Sequence, residues 1–137
     1  MGDFISSLKI SASGLEVQSA RMRVIAENLA NADSAAKSPD ADPYRRRIPT
    51  FRAVFDRELD AYNVKVGKMV MDQSEFRTKY EPGHPAADAQ GFVKYPNVDS
   101  LIELADMREA QRTYEANLNV IRSSRAMYGQ TLDILRG

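Results

Sequence analysis

The chain has 137 residues, the length of one domain, and its nineteen basic and nineteen acidic side chains cancel. A neutral chain has no global field to gather nucleic acid or an anionic membrane, so neither is expected as a partner. The absence of cysteine excludes disulfide scaffolds, thiolate metal sites and thiol catalysis, and the single histidine, His84, excludes a site built on two imidazoles.

Met1 to Leu15 lacks a basic start and an unbroken apolar stretch, because Asp3, Ser6, Ser7 and Lys9 interrupt it. No cleavable secretory signal is expected there. No window approaches 18 apolar residues, so no segment is expected to span or insert into a membrane. Alone, these features indicate the cytoplasm, unless the chain leaves by a route that needs no cleaved signal. All six prolines lie between Pro39 and Pro96. That distribution predicts a mainly α fold of helix, irregular middle and helix, divided at 1–32, 33–97 and 98–137, with the first and last segments forming one structural unit.

In the first segment Ile5, Leu8, Ala12, Leu15, Ser19, Met22, Ala26 and Leu29 recur at alternating steps of three and four. This is the seam of a helix that packs along a partner, with Ser19 as a polar gap. Gly14 inside that helix costs about 1 kcal/mol relative to alanine. Small residues on the seam permit close approach.

The middle reads as turns and short strands. Asp40, Asp42 and Pro43 form a loop. Phe51, Val54, Phe55 and Leu59 have the spacing of a short helix. Tyr62 to Val66 alternates and is expected to pair with Lys68 to Met71 across Gly67 as a small hairpin. Tyr80-Glu81-Pro82-Gly83-His84-Pro85 is turn chemistry, with glycine supplying a positive φ. Gly91 to Asn97 is an extended stretch.

The last segment has the longer seam: Leu104, Met107, Gln111, Tyr114, Leu118, Ile121, Arg125, Tyr128, Leu132 and Leu135. A helix from about 100 to 135 would run roughly 50 Å. Ser100 with Glu103 can form a capping box, and Asp99 is the alternative cap.

None of the candidate chemistry indicates an enzyme, a metal site or a cofactor. His84 lies in a turn with Asp88 as its nearest acid, which is not a ligand spacing. Asp56, Glu58 and Asp60 read as a solvated face rather than an acid/base pair. Arg45-Arg46-Arg47 is the only basic run, and it reads as a surface run that pairs with acids of a partner. There is no phosphate-binding glycine loop, GxSxG or HExxH. Two long helices sharing thin apolar seams are marginal alone, which favours ordering on assembly with other chains.

Longer stretches carry a family resemblance. Ser11-Ala12-Ser13-Gly14-Leu15, Gln18, Arg21-Met22-Arg23-Val24 and Asn28-Leu29-Ala30-Asn31-Ala32-Asp33-Ser34 resemble the N-terminal signature of bacterial flagellar rod and hook proteins. Tyr80 to Pro85, Ala87-Asp88-Ala89 and Gly91 to Asp99 resemble the proximal-rod members, as do Pro43-Tyr44-Arg45 and Val64-Lys65-Val66. Ala110, Arg112, Tyr114, Glu115-Ala116-Asn117 and Thr131-Leu132 fit their C-terminal helix. The matching motif positions are Asn28, Asn31, Tyr80, Pro82, Gly83, Gly91, Pro96 and Asn97.

The resemblance implies an antiparallel coiled coil of the terminal helices, stacked in a helical tubular array: the periplasmic rod of the flagellar basal body, a shaft that transmits torque. It implies passage through the flagellar type III export apparatus without signal cleavage. The implied partners are other copies of the chain, other rod proteins, the rod–membrane-ring junction and, in transit, the export apparatus. Phe4, Ile25, Leu101, Val120, Met127 and Ile134, outside the main seams, would supply further faces to neighbours. Asn28, Asn31 and Asn117 either cap local turns or bridge between subunits. The competing reading is a cytoplasmic coiled-coil adaptor.

Overall fold

The computed structural model describes residues 2–137. Two long helices frame a middle of short strands: α1 (Gly2–Ala30), β1 (Arg47–Asp56), β2 (Ala61–Met71), β3 (Arg77–Tyr80), β4 (Phe92–Tyr95) and α2 (Ser100–Arg136). The helices coincide with the proline-free ends of the chain. At the end of α1 the Asn31 side-chain amide donates to the Glu27 carbonyl at 2.8 Å, closing the last turn. The start of α2 is capped by Asp99, whose carboxylate accepts the Leu101 N–H at 3.0 Å. Glu103 therefore takes no part in a capping box; its side chain is 1% exposed and turned inward.

The strands form two two-stranded sheets, β1 with β2 and β3 with β4. β3 and β4 are antiparallel, with Arg77 opposite Tyr95 and Tyr80 opposite Phe92. Two expectations for the middle are corrected. Phe51, Val54 and Phe55 lie in β1, not in a helix. Phe51 and Phe55 also satisfy a period of two, with Val54 on the opposite face, and β-branched and aromatic side chains favour the strand. The expected Tyr62–Val66 and Lys68–Met71 hairpin is one continuous strand, β2, and its partner is β1. Gly67 is not a turn: it lies mid-strand, where an added Cβ would come within 2.6 Å of the Thr50 hydroxyl oxygen. The true turn is Arg57 to Asp60. There the Asp56 carboxylate accepts the Glu58 and Leu59 N–H groups, and Asp60 adopts φ 50°.

The chain divides into two compact units, each built from distant segments. One comprises Met1–Met22, Thr50–Lys68 and Arg108–Gly137. Its buried residues are few: Ser11, Val17, Ala110 and Ser124. Within it, Asn117 of α2 lies so close to Gly14 of α1 that a Cβ there would meet the Asn117 amide nitrogen at 2.8 Å. Arg21 pairs with Glu109 at 3.3 Å.

The other unit comprises Arg23–Pro49 and Met69–Met107. It holds most of the buried apolar side chains, including Val24, Ile25, Ala32 and Val98. Ala36, Ala86, Val93 and Tyr95 form its apolar cluster, flanked by Ala35 and Ala87. The Ala36 N–H donates to the Lys94 carbonyl at 3.1 Å and ties the 31–36 turn to β4. Ile25 is 3% exposed and belongs to this core, so it is not a face offered to neighbours. The positive φ expected at Gly83 is found instead at Gly91, at 91°. Gly83 stands in open space, whereas Gly91 lies under Tyr80 and Pro82.

Candidate functional site

The most elaborate constellation of side chains is a buried polar knot in the second unit. It begins with the Arg45-Arg46-Arg47 run, which turns inward rather than toward a partner. Arg46 pairs through Nε with Glu103, with Asp72 at 3.4 Å and with Asp106 at 3.6 Å. Arg45 donates to the Asp72 and Ser74 carbonyls and lies 4.2 Å over the Phe76 ring. Arg47 reaches Glu27 at 3.3 Å and lies over Tyr44 at 5.7 Å. The expectation that these charges pair with a partner's acids is thus corrected for Arg46 and Arg47: their carboxylates are in the same chain. The reason is sequence distance, since Glu103 lies 57 residues away.

Asn28 is the hub on α1 and is 1% exposed. Its carboxamide oxygen accepts the Tyr44 hydroxyl at 2.7 Å and the Arg47 N–H at 3.0 Å. Its nitrogen donates to the Arg47 carbonyl at 2.9 Å and to Glu103 at 3.4 Å. Neither a local cap nor an exposed bridge describes it. Asn97 performs the matching task before α2. Its oxygen accepts the Arg46 N–H at 2.7 Å, and its nitrogen donates to the Asp72 and Ser74 carbonyls. Two asparagines thereby saturate backbone that has no ladder partner and lock the end of α1, the entry to β1, the exit of β2 and the start of α2.

The electrostatics are internally balanced. Burial works against the Arg46 charge, but hydrogen bonds to Glu103 and Asp72 outweigh it and raise the guanidinium pKa. Hydrogen bonds from Ser74, the backbone N–H first, hold the Asp72 carboxyl below its ordinary value, and Arg46 adds to this. Burial pushes the Tyr44 hydroxyl up, and Glu27 and Glu103 reinforce it against Arg47. The hydrogen bonds of this knot tie backbone segments and helix ends together. Among the described residues no three His, Asp or Glu side chains gather to hold a metal ion. His84 uses Nδ1 to accept the Ala86 N–H at 3.0 Å.

The other motif residues occupy distinct places. Tyr80 packs edge-on against Phe92, with ring centroids 5.5 Å apart. Pro82 and Gly83 are exposed, and Pro96 is buried. Arg77, unmarked by any sequence signal, donates to the Pro96 carbonyl at 3.1 Å and the Ala32 carbonyl at 2.9 Å.

The seam residues lie mainly at the surface of the single chain. Of the α1 set, Ile5, Ala12 and Ala26 are exposed, and Leu8, Leu15, Met22 and Leu29 are half-buried. Of the α2 set, Leu104, Tyr128 and Leu135 are exposed, and Met107, Tyr114, Leu118, Ile121 and Leu132 are half-buried. The fully buried helix positions are others: Ser11, Val17, Val24, Ile25 and Asn28 on α1, and Glu103, Ala110 and Ser124 on α2. No helix among the described residues is long and apolar enough to cross a membrane.

Comparison with known proteins gives this architecture a family. Residues 89–134 match the family described as "Flagellar basal body rod FlgEFG protein C-terminal". Over 136 residues the chain is 50% identical to the flagellar basal-body rod protein FlgC of Agrobacterium fabrum, covering 99% of this chain and 98% of that protein. It is 40% identical to FlgC of Salmonella typhimurium, over 91% of this chain and 92% of that protein. It is 36% identical to FlgC of Bacillus subtilis, over 93% and 95%. With identity of this order along its whole length, the chain belongs to the family of flagellar basal-body rod proteins FlgC.

Proposed function

We propose that this chain is a structural subunit of the proximal rod of the bacterial flagellum, assembling with copies of itself and with other rod proteins into a tubular shaft that carries torque across the periplasm. The observation that carries the reading is full-length similarity to rod proteins, joined to terminal helices whose apolar side chains remain uncovered. Leu101, Ile134 and Leu135 are each more than 70% exposed. Exposed apolar residues in series along a helix suit burial by neighbouring subunits. The relatives lend no support to the cytoplasmic adaptor.

The terminal segments 1–32 and 98–137 act as one rod-core unit in this reading, paired as an antiparallel coiled coil. Two helix-to-helix approaches within the first unit support it: Gly14 with Asn117, and Arg21 with Glu109. The advance along α1 is matched by a similar retreat along α2, as antiparallel pairing requires. The seam residues facing outward then meet other subunits and the rod–membrane-ring junction. The chain reaches the periplasm through the flagellar type III export apparatus, with no signal removed and no cofactor needed.

The test is deletion of the gene in its host and electron microscopy of the envelope. Cells should retain a membrane ring and lose rod, hook and filament, and the wild-type copy should restore them. Leu118→Asp, which puts a charge on the half-buried α2 seam, should be exported at normal levels yet build no rods. Intact flagella after deletion would refute the assignment.

A further inference from the structure

The hairpin of the first unit carries an apolar surface that the described residues leave substantially open. Phe51, Phe55, Tyr62, Val64 and Val66 are between 37% and 64% exposed. Phe55 and Tyr62 meet edge-on with centroids 5.2 Å apart, so they share one side of the sheet. By strand alternation Phe51 joins Phe55, and Val64 and Val66 join Tyr62. The opposite side holds Arg52, Asp56, Asn63 and Lys65, where Asn63 donates to Asp56 at 3.2 Å. The sheet is thus apolar on one face and, Val54 apart, mainly polar on the other, with its apolar face open. A lone two-stranded sheet with such a face is marginal in water.

The turn at the end of this face, Arg57 to Asp60, carries two acids and one base, all three exposed, and is net acidic by one charge. Glu58 and Asp60 are exposed, and neither forms an ion pair among the described residues. One surface of this same chain has the complementary character. On α2, Leu118, Arg122, Arg125, Leu132 and Arg136 lie 4, 7, 14 and 18 residues along from the first, which places them on one face of the helix. Its two leucines are half-buried and its three arginines exposed, and those arginines also lack an ion pair among the described residues.

We infer that the β1–β2 hairpin of one copy docks on this α2 face of a second copy, its apolar side over Leu118 and Leu132 and its acidic turn against Arg122 and Arg125. The inference rests on the rod-subunit reading and names the occupant of its α2 seam. The contact joins two different surfaces, so it is heterologous. Repetition then gives an open helical array rather than a closed dimer.

The absence of cysteine makes cross-linking clean. Two differently tagged copies, one carrying Glu58→Cys and the other Arg125→Cys, are produced together in cells that build rods. A disulfide-linked pair bearing both tags is expected under mild oxidation. Rods that assemble without that pair would overturn the docking. Charge reversal gives the second reading. Glu58→Lys with Asp60→Asn, and separately Arg122→Glu with Arg125→Glu, should each abolish rods while the chains are exported at normal levels. Combining all four in one chain should restore them. Normal rods in either half-variant, or no rescue in the combination, would overturn the inference but leave the rod assignment standing, because that assignment is tested by deletion. Rods that persist after deletion would remove both. A linked pair between the hairpin cysteine and a different protein would identify another occupant and reject the second copy.

Discussion

Arg46 and Glu103 define the residue scale. Glu103 is 1% exposed, so its charge is sustained only by what the chain places beside it. Removing one partner of such a pair leaves an uncompensated buried charge and costs about 3–5 kcal/mol. Arg46→Ala is therefore expected to lower the unfolding free energy of the purified chain by that amount in urea titration. Replacing both partners with apolar groups, Arg46→Met with Glu103→Leu, should recover most of the loss. An equal loss in the double variant would mean that packing, not charge, explains the single one. Tyr44 and Tyr95 supply a second readout. Burial raises the Tyr44 hydroxyl pKa, and burial followed by the hydrogen bond to Glu81 raises that of Tyr95. A raised folded-state pKa gives stability that is fully present below the unfolded value of 10.0 and is lost as pH rises through the folded value. In an ultraviolet titration of the chain, Tyr44 and Tyr95 should contribute a late phase above the ordinary value of 10.0. Tyr44→Phe and Tyr95→Phe should each remove part of that late phase.

Gly14 shows what an element can and cannot reveal. In sequence it is a flaw in a helix, worth about 1 kcal/mol against alanine. In the structure it is the space that Asn117 fills, while the Asn117 nitrogen also donates to the Thr113 carbonyl at 3.1 Å. Gly14→Ala should consequently be near neutral in thermal melts, because the gain in helix propensity is offset by displacing Asn117. In an Asn117→Ala background the same substitution should stabilise by about 1 kcal/mol, and this non-additivity is the signature of contact. The helices themselves were legible, because proline-free ends and a three–four spacing leave few alternatives. Their buried faces were not. The three–four spacing marks a leucine seam, whereas the helices bury Val17, Val24 and Ile25, which lie off that seam, together with Ser11, Asn28, Glu103, Ala110 and Ser124. The hairpin was half legible. Phe51 and Phe55, four apart, fit both a helical and a strand period, and Gly67 resembles a turn until Thr50 is seen against it. The polar knot was illegible because its members lie up to 75 residues apart, although the Asn28 and Asn97 motif positions pointed to it.

At the scale of the molecule, buried apolar side chains are distributed unevenly. Val24, Ile25, Ala32, Ala36, Ala86, Val93, Tyr95 and Val98 all belong to the unit formed by Arg23–Pro49 and Met69–Met107. Among the described residues the other unit buries only Val17 and Ala110 of its apolar side chains, and leaves Ile134 and Leu135 more than 70% exposed. Apolar burial is the main favourable term in folding, so local stability must follow that division. Hydrogen exchange of the isolated, full-length chain should be slowest at Val93, Tyr95 and Val98 and at the Val24–Asn28 turn of α1. It should be fast over the first three turns of α1, the Arg57–Asp60 turn and the last four turns of α2. Assembly should reverse the contrast, because neighbours bury the surfaces the single chain leaves open and each burial adds to the folded side of the equilibrium. Uniform protection in the isolated chain would show that the outer unit is stable by itself. The uncovered leucines and aromatics would then need an explanation other than waiting for a neighbour.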